Sequence, residues 1–354
     1  GGRPRRIQFT HKYEDIISVE NLLEAWKEFV RGKRKKQDVQ EFQYCLMDNI
    51  LALHYDLKYG HGVSIFRYRH GGYQHFRISD PKPRDIHKAS VRDRLLHHAL
   101  YRKLYPFFDR TFIADSYSCR KRKGTHKAMN RFREFAHKVS RNHTRTAWVL
   151  KCDIRKFFAS IDQCILIDIV SRYIPDERIV QLLSEVISSF NTSPVLPTTV
   201  GHTGVVQSPK SEIGLPLGNL TSQLLVNIYM NEFDQLVKHR VTAKYYVRYA
   251  DDFVFLSHDR REMESLLPHI RVFLESRLHL SLHSDKVFIK TLASGVDFLG
   301  WVHFPDHRVL RTATKRKMYR RLTNESNDAA KQSYRGMLSH GNAQRFSLKI
   351  DQVY

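Results

Sequence analysis

Two adjacent aspartates between two apolar runs constrain this sequence more than any other feature. Asp251 and Asp252 stand between residues 245–249 and 253–256, whose aromatic and β-branched side chains predict two strands. The short break between the runs predicts a hairpin with both carboxylates at or beside its turn. Adjacent anions repel each other, and burying them unpaired is costly. The pair is therefore either a solvated turn or a ligand pair for a hard divalent cation such as Mg²⁺.

A third carboxylate favours the metal site. Asp153 ends another short apolar run and is followed by a Phe-Phe pair, a pattern typical of a strand that passes into a helix. Two carboxylate sites on strands are what a two-metal phosphoryl-transfer centre needs. The sequence therefore predicts that Asp153, Asp251 and Asp252 bind two Mg²⁺ ions, for which Mn²⁺ is a substitute.

With these three residues the sequence resembles the reverse transcriptases. Asp153 matches the first catalytic motif of that family, and Tyr249-Ala-Asp-Asp252 matches its Tyr-x-Asp-Asp box. The resemblance implies an α+β right-hand polymerase with an antiparallel palm sheet, mostly helical fingers and a short helical thumb. It also implies RNA-directed DNA synthesis, with Asp153, Asp251 and Asp252 as catalytic residues. The implied division is a helical fingers extension over 1–60, fingers over 61–148, a palm over 149–301 with a loop over 191–213, and a thumb over 302–354.

The charge of the chain points to a polyanionic partner. It has 59 Lys and Arg against 36 Asp and Glu, a net charge of +23, which predicts binding to nucleic acid. The resemblance specifies template RNA, an RNA–DNA duplex and deoxynucleoside triphosphates. The four cysteines form no Cys-x-x-Cys pair, and no apolar run is long enough to span a membrane. These features predict a cytoplasmic protein, and the resemblance implies that it is bacterial, archaeal or encoded by a phage.

Three groups of basic residues are candidate nucleic-acid contacts. The run over 31–36 separates two helices predicted within 16–59, and it is either a solvated loop or a contact to a phosphate backbone. The resemblance adds a basic loop that leads through Gly124 into a helix, and a thumb helix whose cations repeat at helical spacing after Arg311. The candidates are Lys33, Arg34, Lys35, Arg120, Lys315, Arg316 and Arg320.

The resemblance also assigns residues to the incoming triphosphate. A hairpin is predicted within 62–78, and Arg84 and Arg94 after it match fingers residues that bind phosphate oxygens through their planar fork. The alternative for Arg94 is an ion pair with Asp85 or Asp93. Lys286 resembles the lysine that approaches the pyrophosphate leaving group, where it can act as a general acid.

Phe158 resembles the steric gate of the family. An aromatic ring at this position would collide with the ribose 2′-hydroxyl and so favour deoxynucleotides. The alternative is that Phe157 and Phe158 both belong to the core, and the core position is assigned to Phe157.

The segment Gly214-Leu-Pro-Leu217-Gly218-Asn-Leu-Thr-Ser222-Gln223 departs from most reverse transcriptases. Most have Gln in place of Leu217 and Ser-Pro in place of Ser222-Gln223. The observed version resembles the enzymes of diversity-generating retroelements, which misincorporate opposite template adenines. Leu217, Gly218 and Gln223 are therefore candidate substrate-binding residues, with Gly218 allowing close approach of the backbone.

This subtype implies a partner, a small, basic, helical accessory protein that forms a ring. Three alternative roles remain for a reverse transcriptase of this kind: phage defence, a retron-like enzyme and a group II intron-derived enzyme. A non-catalytic RNA-binding protein is a further alternative, against which the intact carboxylate set argues.

Overall fold

The computed structural model describes residues 7–60, 66–79, 83–192, 212–324 and 328–342. In these ranges the helices are α1 (Tyr13–Ile17), α2 (Val19–Phe29), α3 (Gln37–Tyr44), α4 (Leu46–Lys58), α5 (Val91–Thr111), α6 (Thr125–Val139), α7 (Gln163–Ser171), α8 (Glu177–Ser188), α9 (Leu220–His239), α10 (Arg260–Leu278), α11 (Thr312–Asn324) and α12 (Asp328–Leu338). The strands are β1 (Tyr73–Ile78), β2 (Arg84–Ala89), β3 (Trp148–Asp153), β4 (Tyr246–Tyr249), β5 (Asp252–Ser257), β6 (Phe288–Thr291), β7 (Val296–Phe298), β8 (Trp301–His303) and β9 (Arg308–Leu310).

Contacts within the chain group these elements into two compact units. Unit 1 comprises Gly1–Phe112, Lys156–Phe233 and Ser276–Leu280, and unit 2 comprises Ile113–Arg155, Asp234–Glu275 and Ser281–Tyr354. Each unit therefore combines segments that are distant in sequence. None of the helices in the described ranges has the length and apolar character that a membrane crossing requires.

The N-terminal part of unit 1 contains four helices where the sequence predicted two. The first break falls at Ser18, whose hydroxyl accepts a hydrogen bond from the amide of Asn21 at 3.2 Å and so begins α2. A second break falls at Cys45, between α3 and α4. The prediction was wrong because the apolar spacing continues across Ser18 and Cys45, although the helical backbone conformation is interrupted at both residues.

A two-stranded hairpin lies in unit 1, but not where the sequence placed it. The pairing joins β1 to β2, from Tyr73 opposite Ala89 to Ile78 opposite Arg84. Among the described residues of the predicted hairpin within 62–78, only Tyr73–Ile78 form a strand, and the partner of that strand lies further along the chain, so the prediction is wrong for these residues. Residues 61–65 and 80–82 lie outside the described residues, as do residues 193–211 of the predicted loop.

Unit 2 is organised around an antiparallel sheet with strand order β4-β5-β3-β6. In β3 and β5 nearly every residue is buried, which explains why apolar side chains dominate both strands. The register places Asp153 directly opposite Asp252. The antiparallel sheet carrying the carboxylates, predicted from the sequence, is confirmed.

Helix α6 packs across this sheet. Its buried side chains, including Phe132 and Phe135, form one apolar cluster with Val149, Val254 and Phe298. The turn between β7 and β8 uses two residues with positive φ, Leu299 and Gly300, as a tight hairpin requires. A second cluster, formed by Met129, Trp301, Leu310, Met318, Leu322 and Leu338, joins α11 and α12 to α6.

The packing of α6 predicts how this part of unit 2 responds to truncation. Phe132 is 0% exposed and its ring centre lies 5.5 Å from that of Phe298. Phe132→Ala is expected to lower the free energy of unfolding by about 3–5 kcal/mol, because a large buried ring leaves a cavity. Arg133 is the adjacent exposed residue of the same helix, so Arg133→Ala should change it by less than about 0.5 kcal/mol. Urea denaturation measures both, and equal losses would contradict the packing.

Candidate active site

The turn between β4 and β5 brings three carboxylates to one end of the unit 2 sheet. Asp252 is the first residue of β5, Asp251 lies in the turn, and Asp153 is the last residue of β3. Ala250 has a left-handed φ of 56°, which reverses the chain between the two strands. The amide of Ile154 donates to the carbonyl of Asp251 at 3.2 Å and so ties the turn to the end of β3.

Two lysines lie beside these carboxylates. Lys286 Nζ is 2.8 Å from Asp153 Oδ1, and Lys151 Nζ is 3.3 Å from Asp252 Oδ1. Lys286 is delivered by residues 281–286, whose backbone pairs with the chain just after β3 through Ile154 and Leu282. Lys151 was not singled out in the sequence, although a cation two residues before Asp153 on an apolar strand is a usable signal.

Asp252 is a buried carboxylate with two like charges beside it. Burial, opposed by the Lys151 ammonium and aided by the charges of Asp153 and Asp251, raises its pKa to about 7. The Lys151 ammonium is within ion-pair distance but outside hydrogen-bond geometry, so the buried Oδ1 of Asp252 has no hydrogen-bond partner among the described residues. An unsatisfied buried anionic oxygen is a position that a cation would stabilise.

The described residues do not form a ready-made metal cluster. No group of three or more His, Cys, Asp or Glu side chains in those ranges is arranged to hold an ion. The predicted ligands are brought to the same end of the sheet, but the ammonium groups of Lys286 and Lys151 lie against Asp153 and Asp252.

The candidate nucleotide-selecting residues lie in unit 1. The carbonyl of Leu217 accepts a hydrogen bond from the amide of His87 in β2 at 3.0 Å, and Asn219 Nδ2 donates to the carbonyl of His87 at 2.9 Å. Gly218 between them has a φ of 112°, and an added Cβ would lie 2.9 Å from Ile86 Cγ2. The Leu217 loop is thus held against the hairpin, and only glycine suits its central position.

Phe158 lies next to the same segment. The amide of Leu215 donates to the carbonyl of Phe158 at 2.8 Å. The ring of Phe157 is 3% exposed, whereas Phe158 is half-buried. The structure therefore places Phe157 in the core, as predicted, and leaves part of Phe158 accessible. Gln223 is half-buried in the first turn of α9.

The two candidate phosphate-binding arginines differ in their surroundings. Arg84 is exposed at the start of β2. Arg94 is held by Asp38, with 2.5 Å between Nη2 and Oδ2, and it stacks on Phe29. The alternative prediction that Arg94 forms an ion pair is correct, but the acid it pairs with is Asp38 and not Asp85 or Asp93. Asp38 lies 56 residues away in sequence, so local spacing gave no signal for it.

The candidate nucleic-acid contacts also divide into engaged and exposed residues. Lys33 Nζ donates to the carbonyl of Phe29 at 2.9 Å, and burial together with the charge of Arg94 lowers the pKa of Lys33. Arg120 Nη1 donates to the carbonyls of Ile113 and Ser116. These two cations stabilise local backbone. Lys315 is half-buried on α11, and the exposed candidates are Arg34, Lys35, Arg316 and Arg320.

Comparison with curated proteins gives two informative relatives. Protein YkfC of Escherichia coli (strain K12) is 28% identical over 269 residues, covering 67% of this chain and 66% of YkfC. Group II intron-encoded protein LtrA of Lactococcus lactis subsp. cremoris is 22% identical over 295 residues, covering 66% of this chain and 46% of LtrA. The chain thus spans about two thirds of the first relative and about half of the second.

The solved structures that match include telomerase from Candida albicans. The similarity has a TM-score of 0.49 at 11% identity and covers 70% of this chain and 46% of the telomerase chain.

A family model decides the assignment. The model described as "Reverse transcriptase (RNA-dependent DNA polymerase)" matches residues 79–303, which include Asp153, Asp251 and Asp252 together with the whole sheet that carries them. The expected fold class, an α+β right-hand polymerase, is that of this family. With the family model covering well over half of the chain, the protein belongs to the reverse transcriptase family.

Proposed function

We propose that this protein is an RNA-directed DNA polymerase whose catalytic centre is the carboxylate end of the unit 2 sheet. The observation that carries the proposal is the register of β3 and β5, which sets Asp153 opposite Asp252 with Asp251 in the adjoining turn. Family membership supports the reaction class. Because phosphoryl transfer depends on positioning and charge stabilisation, carboxylates on a rigid sheet suit it.

The donor set fits divalent cations, with Mg²⁺ proposed and Mn²⁺ as a substitute. The buried Oδ1 of Asp252 has no hydrogen-bond partner among the described residues, and its pKa is raised to about 7. Asp153, Asp251 and Asp252 would hold the ions. When bound, two such ions would activate a 3′-hydroxyl and hold the triphosphate. Lys286 and Lys151 neutralise part of this charge in their absence.

Three further residues are assigned supporting roles. Lys286 is proposed to donate a proton to the pyrophosphate leaving group, from its place beside Asp153. Arg84, exposed at the start of β2, is proposed to contact the triphosphate. Phe158 is proposed to exclude ribonucleotides, since its ring is only half-buried.

We further propose that the enzyme belongs to a diversity-generating retroelement and is error-prone opposite template adenines. The support is Leu217, which has no side-chain group to hydrogen-bond a nascent base pair and lies in a loop held by backbone contacts to His87. A group II intron-derived role is the second candidate, favoured by the likeness to LtrA. Phage-defence and retron-like roles have no specific structural support.

The proposed partners follow from charge. Template RNA and the RNA–DNA duplex would contact exposed cations of the N-terminal run and of α11, among them Arg34 and Arg316. The retroelement assignment adds a small basic helical accessory protein that forms a ring. The division into fingers extension, fingers, palm and thumb stays a proposal.

The first prediction tests the catalytic assignment. Asp251→Asn should lower primer extension on an RNA template by at least about 10²–10³-fold, because it removes a carboxylate that would hold a divalent cation, and that cation stabilises the transition state. RNA affinity should stay within about twofold, since phosphate contacts supply it. Asp306→Asn, an exposed acid in the same unit, is the matched control and should synthesise normally. Unchanged synthesis by Asp251→Asn would refute the assignment.

The second prediction concerns pH in protein stripped of metal. Asp252 has its folded pKa raised from 3.8 to about 7, so the folded state binds the proton more tightly than the unfolded state. Its contribution to stability is therefore complete below about pH 4 and is lost as the pH rises to about 7, at up to about 1.4 kcal/mol per pH unit. Asp252→Asn should remove that part of the slope. Urea denaturation in EDTA between pH 5 and pH 8 measures it, and parallel curves for the two proteins would contradict the burial of this charge.

The third prediction tests the subtype. Leu217→Gln should reduce misincorporation opposite template adenine by about tenfold, because one restored polar contact is worth on the order of 1–3 kcal/mol. Leu217→Met preserves the apolar character and should leave the error spectrum unchanged. Sequencing of cDNA products measures both variants. A wild-type enzyme that copies adenine as accurately as the other bases would exclude the retroelement proposal.

A further inference from the structure

A fully buried ion pair lies beside the turn between β4 and β5. Arg248 in β4 and Asp234 in α9 are both 0% exposed. Arg248 Nε is 2.8 Å from Asp234 Oδ1, and Nη2 is 2.6 Å from Oδ2, so the arginine holds the carboxylate at two points. A buried ion pair seldom stabilises a fold more than well-packed apolar residues of the same size do. Stability alone therefore does not explain Arg248.

The same guanidinium reaches the turn that carries the catalytic aspartates. Its Nη1 donates to the carbonyl oxygen of Ala250 at 3.1 Å. Ala250 has a φ of 56°, a left-handed conformation that strains a residue with a Cβ. The carbonyl belongs to the peptide bond that leads into Asp251. A charged donor thus holds the strained turn at the peptide bond between Ala250 and Asp251.

Other contacts keep Arg248 from moving. Nη2 also donates to Ser116 Oγ at 3.0 Å, and the Arg248 amide donates to the carbonyl of Asp115 at 3.0 Å. The Asp234 carboxylate accepts a further hydrogen bond from the Tyr246 hydroxyl at 2.8 Å. Moving the guanidinium away from Ala250 would break several of these bonds together, so its position is well determined.

We propose that Arg248 is a positioning residue for catalysis, which acts by holding the Ala250 carbonyl and thereby the direction of the Asp251 and Asp252 carboxylates. Asp234 serves it as counter-ion and anchor. The proposal rests on the proposed catalytic role of the two aspartates. Displacing a reacting group by about 1 Å can lower a rate by about a hundredfold. Loss of the hydrogen bond from Arg248 to the turn should therefore slow DNA synthesis.

The test removes the contact to the turn without leaving a buried charge unpaired. In the double variant Arg248→Met with Asp234→Asn, both charges disappear together and much of the packing volume remains. Arg133→Met is the matched control, because it makes the same substitution at an exposed arginine of the same unit. Arg248→Lys is a second variant, which retains the charge but lacks the fork that holds Asp234 and Ala250 together.

Two readouts separate positioning from general stability. In metal-free protein, hydrogen exchange at the amides of 250–252 should accelerate by about tenfold or more in the double variant, since a tenfold change corresponds to about 1.4 kcal/mol. In single-turnover primer extension the maximal rate should fall by about a hundredfold, while affinity for template–primer stays within about threefold. Arg133→Met should match the wild-type protein in both measurements.

The outcomes that overturn the proposal are distinct from those that overturn the proposed function. A folded double variant with wild-type exchange at the turn would show that Arg248 does not hold it, whatever happens to the rate. If the double variant does not fold, the same criteria apply to Arg248→Lys. Normal DNA synthesis by Asp251→Asn would refute the catalytic assignment. If Asp251→Asn is inactive but the Arg248 variants show wild-type exchange at the turn, only the positioning role of Arg248 is refuted.

Discussion

Mutual repulsion among three carboxylates at the end of one sheet is the constraint on which unit 2 depends. Asp153 and Asp252 face each other across β3 and β5, and Asp251 follows in the turn. Burial and the neighbouring charges raise the pKa of Asp252 to about 7. Such a cluster persists only if the surrounding structure supplies positive charge and holds the strands together.

The positive charges come from three parts of the chain. Lys151 comes from β3 itself, Lys286 from the segment that runs beside the end of β3, and Arg248 from β4. The two lysines approach the carboxylates directly, whereas Arg248 donates to the backbone of the turn at the Ala250 carbonyl. This division matches two different needs, because a carboxylate must keep access to its ligands while the turn that carries it must not move.

Unit 1 holds its candidate selectivity residues by the backbone. The carbonyls of Leu217 and Phe158 accept hydrogen bonds from His87 and Leu215, so the position of each segment does not depend on its own side chain. A Leu at 217 can therefore replace the Gln of most reverse transcriptases without loss of the local fold. The basic residues behave differently, since the side chains of Lys33, Arg94 and Arg120 are each engaged with partners within the chain.

The sequence by itself determined the strand, turn and strand around Asp251, the strand that ends at Asp153 and the helix after Gly124. Each follows from a local pattern of apolar residues and turn residues, which reports on neighbours along the chain. The family also followed from motifs that are contiguous in sequence.

Tertiary structure alone decided which charges meet. Arg94 pairs with Asp38 across 56 residues, and Lys286 pairs with Asp153 across 133. It also decided that β1 pairs with β2, and that the N-terminal region divides into four helices. The physical reason is that a long charged side chain can pair with any acid that the folded chain brings within reach, and local periodicity carries no information about that distance.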